Sequence, residues 1–159
     1  MKTRKIITIT LLVCTFYILG YIRYSLFLTV NEQAADVFYH ASPPQLNSLL
    51  SFLNSKSYNW LLNFKWGLTL LFTIIYCIFS SFSVFILFKN KSYIKICILL
   101  YSSMLIVSAI FIGIGYIFQD FSHHAFNLAR NIMHLGQSPL ITLLILAGLY
   151  FYRNFESAT

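Results

Sequence analysis

The chain has 159 residues and is 58% hydrophobic, yet only 9% of it is charged. A water-facing surface needs about a quarter of its residues charged, so a soluble globular domain is excluded and the lipid bilayer is the solvent that fits. The formal charge of +7 comes from eleven Lys/Arg against four Asp/Glu. The basic residues sit in short groups beside apolar runs, which is the pattern of membrane orientation signals rather than of nucleic-acid binding.

Lys2, Arg4 and Lys5 precede the first apolar run, Ile6 to Leu28. A basic start before an apolar stretch resembles a signal peptide. This run is longer than a usual signal core, and "EQAAD" places Gln33 where a small residue is needed, so an uncleaved signal-anchor is expected. Arg23 stands about 7–8 Å below the outer end of this run at about 1.5 Å per residue. It can snorkel to the interface or pair with an outer acid, Glu32, Asp36 or Asp120, with Tyr21 and Tyr24 near enough to donate hydrogen bonds.

The segment 29–65 forms the expected outer loop. Leu46, Leu49, Leu50 and Leu53 recur at helical spacing after Pro43 and Pro44, which predicts a short amphipathic helix over about 45–54. It lies either flat on the outer membrane face or folded over the bundle, with Trp60 and Trp66 following at the headgroup level. The second run, 66–88, and the third, 96–118, are joined by a seven-residue connection holding Lys89, Lys91 and Lys95. Neither run contains an ionisable Asp, Glu, His, Lys or Arg, so their hairpin reads as scaffold rather than as an ion route. Ser80, Ser81, Ser83, Ser102, Ser103, Ser108, Gly113 and Gly115 favour close helix approach.

The last run, Leu140 to Tyr152, is too short to span alone and must borrow from the polar stretch before it, giving a fourth span over about 133–152. In that stretch Asn127, Arg130, Asn131, His134, Gln137 and Ser138 fall on one broad helical face. The face either looks into water as an ordinary amphipathic helix or lines a polar cleft at the outer end of the bundle. Gly136 and Pro139 weaken the helix between the two parts. The candidate cleft residues are therefore Arg23, Asp120, Asn127, Arg130, Asn131, His134, Gln137 and Ser138. Arginines there can hold a phosphate or carboxylate, and His134 can shuttle protons.

No metal or other cofactor is expected. His40, His123, His124 and His134 lack a ligand-spaced motif. Cys14, Cys77 and Cys97 lie in or beside apolar runs and read as small packing residues. No nucleophile elbow, paired carboxylates or Cys/His couple is visible. The fold class expected is an all-α, single-domain membrane bundle of four transmembrane helices, with both termini cytoplasmic because the basic clusters then share one side.

Arg23 followed by "YSLFLTVNEQ", together with the closing "ARNIMHLGQSPLITLLILAGLYFY", resembles the small polytopic proteins associated with bacterial exosortases. Exosortases are membrane transpeptidase-like enzymes that process proteins carrying a C-terminal sorting tail. The resemblance implies a non-enzymatic accessory of the bacterial inner membrane, binding an integral membrane partner that does the chemistry. The reading from another class is a small membrane enzyme or a binder of lipid or another anionic substrate, with its site at the outer polar cleft.

Overall fold

The structure is a computed structural model that describes residues 2–39, 50–54, 56–118 and 121–156, with side chains between 7 and 153 in those ranges. It is all-helical among the described residues: α1 (Lys2–Phe38), a 3₁₀ turn (Ser51–Leu53), α2 (Tyr58–Phe88), α3 (Lys91–Ile117), α4 (Ser122–Gly136) and α5 (Pro139–Glu156). The stretches Ile7–Phe38, Tyr58–Phe88 and Lys91–Ile117 are each long and apolar enough to cross a membrane. α4 and α5 meet the same test only as a pair, bent by 61° at their break. Helices suit this composition because each backbone group is satisfied within its own segment, the requirement lipid imposes.

The helices outrun the apolar runs that announce them. α1 continues ten residues past Leu28, and α2 starts eight residues before Trp66. Hydrophobicity marks where lipid can lie, whereas a helix once nucleated propagates until its backbone bonding is interrupted. Contacts divide the chain into two compact units, Met1–Leu71 and Phe72–Thr159, with the division falling inside α2.

In the first unit α1 has two unlike sides. Phe16, Phe27, Val30 and Gln33 are buried, and Arg23 on the same side is half-buried with its guanidinium carbon 5.2 Å from the Phe27 ring centroid. Tyr17, Tyr21 and Tyr24 are exposed. Of the helix expected over about 45–54, residues 45–49 lie outside the described residues. The described remainder is a 3₁₀ turn closed by Leu53 N–H to Leu50 O at 3.0 Å, with Leu53 buried. Phe52 meets Trp60 and Phe64 edge-on, and Trp60 and Phe64 stack at 5.1 Å.

In the second unit the α2–α3 connection is far tighter than seven residues. Lys89 takes φ 55°, and its N–H bonds Phe85 O at 2.8 Å, closing α2 with a left-handed cap. Asn90 then caps α3, its side chain accepting from Ser92 N–H at 2.9 Å. The lysines thus flank a two-residue turn instead of filling a loop. Phe88 and Tyr93 meet edge-on across it at 5.6 Å.

α4 runs back along the second half of α3. Three contacts give the register: Phe126 lies over Gly115, Ser108 Oγ donates to Ala129 O at a long 3.5 Å, and Gly136 faces Met104. As α4 advances, the partner on α3 recedes, so the helices are antiparallel. A Cβ on Gly115 would come within 3.2–3.3 Å of the Phe126 ring. The close approach therefore depends on glycine there, as small residues permit between helices in lipid.

Candidate functional site: a buried network and an outward polar arc

The polar residues of the second unit separate into two groups with opposite placements. The first group is buried. Thr73, Tyr76, Ser80 and Ser83 recur on α2 at i, i+3, i+7 and i+10, and all four are buried. Ser80 Oγ lies 2.9 Å from Tyr101 Oη and 2.6 Å from Thr142 Oγ1, so one serine joins α2, α3 and α5. Gln137 Nε2 donates to Thr73 Oγ1 at 3.1 Å. In an apolar interior Thr73, Ser80, Tyr101, Gln137 and Thr142 carry a desolvation cost that these bonds offset, while Ser83 Oγ donates to Phe79 O of its own helix at 2.7 Å.

These bonds also fix a direction. From Gln137 to Thr142 the chain advances five residues, while its partners advance from Thr73 to Ser80 along α2. α5 therefore proceeds in the same sense as α2, toward the Phe88 end. The break between α4 and α5 is closed by Gln137 N–H to Met133 O and His134 O, and by Ser138 N–H to Leu135 O. Pro139 starts α5, where the missing N–H is no loss.

The second group is displayed. Ala125, Ala129, Met133 and Gly136 are the buried face of α4. Arg130, Asn131 and His134 are exposed and Asn127 half-exposed, on the arc diametrically opposite. Arg130 Nη2 donates to Asn127 Oδ1 at 2.7 Å. Asn127 Nδ2 in turn lies 3.2 Å from His123 Nδ1 and 3.4 Å from Nε2, donating to whichever ring nitrogen carries the lone pair. The three side chains form one directional chain that draws the guanidinium toward the start of α4.

The eight candidate cleft residues thus have different fates. Asn127, Arg130, Asn131 and His134 share the outward arc. Gln137 departs from the face expected for it, because the helix ends at Gly136 and its side chain turns inward to Thr73. Ser138 is spent on its own turn, donating to Leu135 O at 2.8 Å. Arg23 belongs to the first unit, and Asp120, with any pairing to it, lies outside the described residues. Among the described residues no three His, Cys, Asp or Glu side chains gather as a metal-holding group. The stretch 133–152 expected as a fourth span is broken at the Gly136–Pro139 weak point into α4 and α5, since Pro139 cannot continue the α4 ladder.

Thr73, Ser80, Tyr101 and Thr142 were missed as a set. Their signal is the helical period of the polar positions in α2, and the hairpin register that follows once Asn90 is known to be the turn. Ser80 stands ten residues before Asn90 and Tyr101 eleven after it.

The described residues define an all-helical fold whose helices have the length and composition of a multi-pass membrane protein. Compared with protein-family models, with curated proteins and with solved structures, the chain matches none.

Proposed function

We propose that the protein is a four-span membrane accessory, with both termini cytoplasmic, that docks a spanning helix of another membrane protein against α1. The observation that carries this reading is the stripe Cys14, Tyr17, Tyr21, Tyr24 and Leu28, spaced i, i+3, i+7, i+10, i+14 and exposed along its length. Tyr17 is 77% exposed at the middle of the apolar run 6–28, about 16 Å from either interface at about 1.5 Å per residue. A phenol cannot reach water over that distance, and a hydroxyl left unbonded in hydrocarbon costs several kcal/mol. A helix offering hydroxyl or carbonyl acceptors opposite Tyr17 and Tyr21 removes the cost. The outward arc on α4 also favours binding over catalysis, which needs groups converging on one reacting atom.

The four-span topology rests on the α4–α5 pair acting as one broken span. α4 is about 22 Å long, and α5 as far as Tyr152 about 21 Å. With one limb upright and the other bent away by 61°, the pair still covers about 33 Å, against roughly 30 Å of hydrocarbon. The positive-inside rule then assigns Lys2, Lys89, Lys91, Lys95 and Arg153 to the cytoplasmic side. The sequence resemblance makes an exosortase-type sorting enzyme of the bacterial inner membrane the partner class to test first.

A photo-reactive phenylalanine analogue placed at positions 14, 17, 21 and 24, in cells at native expression, tests the docking. The stripe should yield one cross-linked membrane protein identifiable by mass spectrometry, while exposed off-stripe positions 11, 18 and 22 do not. Lipid adducts alone, or adducts of twice the chain's own mass, would sink the reading.

A further inference from the structure

The polar arc of α4 needs its own account, because α1 carries the partner docking. α4 lies antiparallel along α3 by the contacts at Gly115, Ser108 and Met104, so in a bilayer the arc descends the half of the membrane opposite Lys91 and Lys95. Counting roughly 20 residues of hydrocarbon from Ile96 ends near Gly115. Phe126, which lies over Gly115, therefore marks that boundary on α4. Asn127 stands one residue in, about 1–2 Å deep at about 1.5 Å per residue. The guanidinium of Arg130 is bonded to Asn127 Oδ1 and so lies at the same shallow level.

We infer that His123, Asn127 and Arg130 form a binding site for the phosphate of an anionic phospholipid in the leaflet opposite the lysine-flanked turn. The chemistry is set by what the hydrogen-bond chain leaves over. Asn127 Oδ1 is taken by Arg130, and the His123 lone pair is taken by Asn127 Nδ2. What faces outward from these residues is mainly donors, the remaining guanidinium N–H groups and the second Asn127 amide N–H. Among the described residues no carboxylate pairs with Arg130. A positively charged set of donors at headgroup depth matches phosphate oxygens, which arginine binds through paired N–H groups. A headgroup without an ammonium is favoured, since a choline or ethanolamine would bring a second positive charge to the guanidinium. The lipid is also the molecule already adjacent to an exposed face at this level. This site rests on the membrane placement of α3 and α4 and is independent of the partner proposed for α1.

The test is native mass spectrometry of the purified full-length protein, offered equimolar phosphatidylglycerol and phosphatidylcholine in mild detergent. The intact protein should retain phosphatidylglycerol about three- to tenfold over phosphatidylcholine, the range a partly exposed charge-assisted contact gives. Arg130→Gln should bring the ratio near one and Asn127→Ala should lower it. Lys89→Gln, which removes the same charge at the lysine-flanked turn before α3, away from the α4 arc, should leave it unchanged. Should Arg130→Gln fail to accumulate, Arg130→Lys serves instead, with a reduced but measurable preference expected. Equal retention of the two lipids by the intact protein overturns the inference, as does a preference that survives Arg130→Gln. A photo-cross-link from position 131 to a protein rather than to lipid also overturns it, since a partner's carboxylate would then occupy the arc.

Discussion

Replacing Thr142 by Val probes the buried network without opening a cavity, because the two side chains are nearly isosteric. In the native protein Thr142 Oγ1 is 2.6 Å from Ser80 Oγ, and Ser80 is also 2.9 Å from Tyr101 Oη. Thr142→Val removes one interhelical bond and leaves Ser80 its tyrosine partner. The expected loss is therefore that of one such bond in a membrane, about 0.6 kcal/mol and at most about 1.7. Ser80→Ala removes both bonds at once, so its expected cost is roughly double, about 1–3 kcal/mol. In the double variant the Ser80–Thr142 bond cannot be lost twice. The mutant cycle should therefore give a coupling of about 0.6–1.7 kcal/mol. Steric-trapping measurements of unfolding in micelles or bicelles read all four free energies. A coupling within about 0.3 kcal/mol of zero, which is the additivity expected of independent sites, would refute the claim that this serine ties α5 to α2.

Three further outcomes follow from the same geometry. Gln137→Leu should cost about 1–2 kcal/mol by leaving Thr73 with a lost donor, and adding Thr73→Val should recover part of it because both partners become apolar. The same unfolding assay reads both. Gly115→Leu should cost about 1–3 kcal/mol through overlap with Phe126, whereas Gly113→Leu, with nothing within 4 Å of the added Cβ, should be nearly neutral. Asn90→Ala should lose about 0.5–2 kcal/mol as a helix cap, while Lys89→Gly should be stabilising or neutral because φ 55° favours glycine.

The parts of the fold readable from the sequence are those set by bulk composition. Long apolar runs bounded by lysines announce helices, and the runs 66–88 and 96–117 lie within α2 and α3. Boundaries were less legible because polar residues such as those of 29–38 continue a helix as readily as they end one. The two-residue turn was hidden because Lys89 gives no composition signal of a left-handed cap, a role usually marked by glycine. The outward arc was visible in the spacing of Asn127, Asn131 and His134. Gln137 was not separable from that arc by spacing, since it faces inward only because the helix stops before Pro139. Ser80, Tyr101 and Thr142 lie on three helices, and only the turn at Asn90 and the bend at Pro139 bring them together. The serines read as small packing residues in the sequence also act as hydrogen-bonding ties.

The account depends most on α4 and α5 forming one broken span that carries the polar arc to one side and Arg153 to the other. Single cysteines at positions 124 and 153, in a chain whose Cys14, Cys77 and Cys97 are replaced by Ala, can be labelled by a membrane-impermeant maleimide in intact and in opened cells. Position 124 should label in intact cells and position 153 only after opening. Labelling of both positions from the same side would contradict a broken span and make α4–α5 a re-entrant pair.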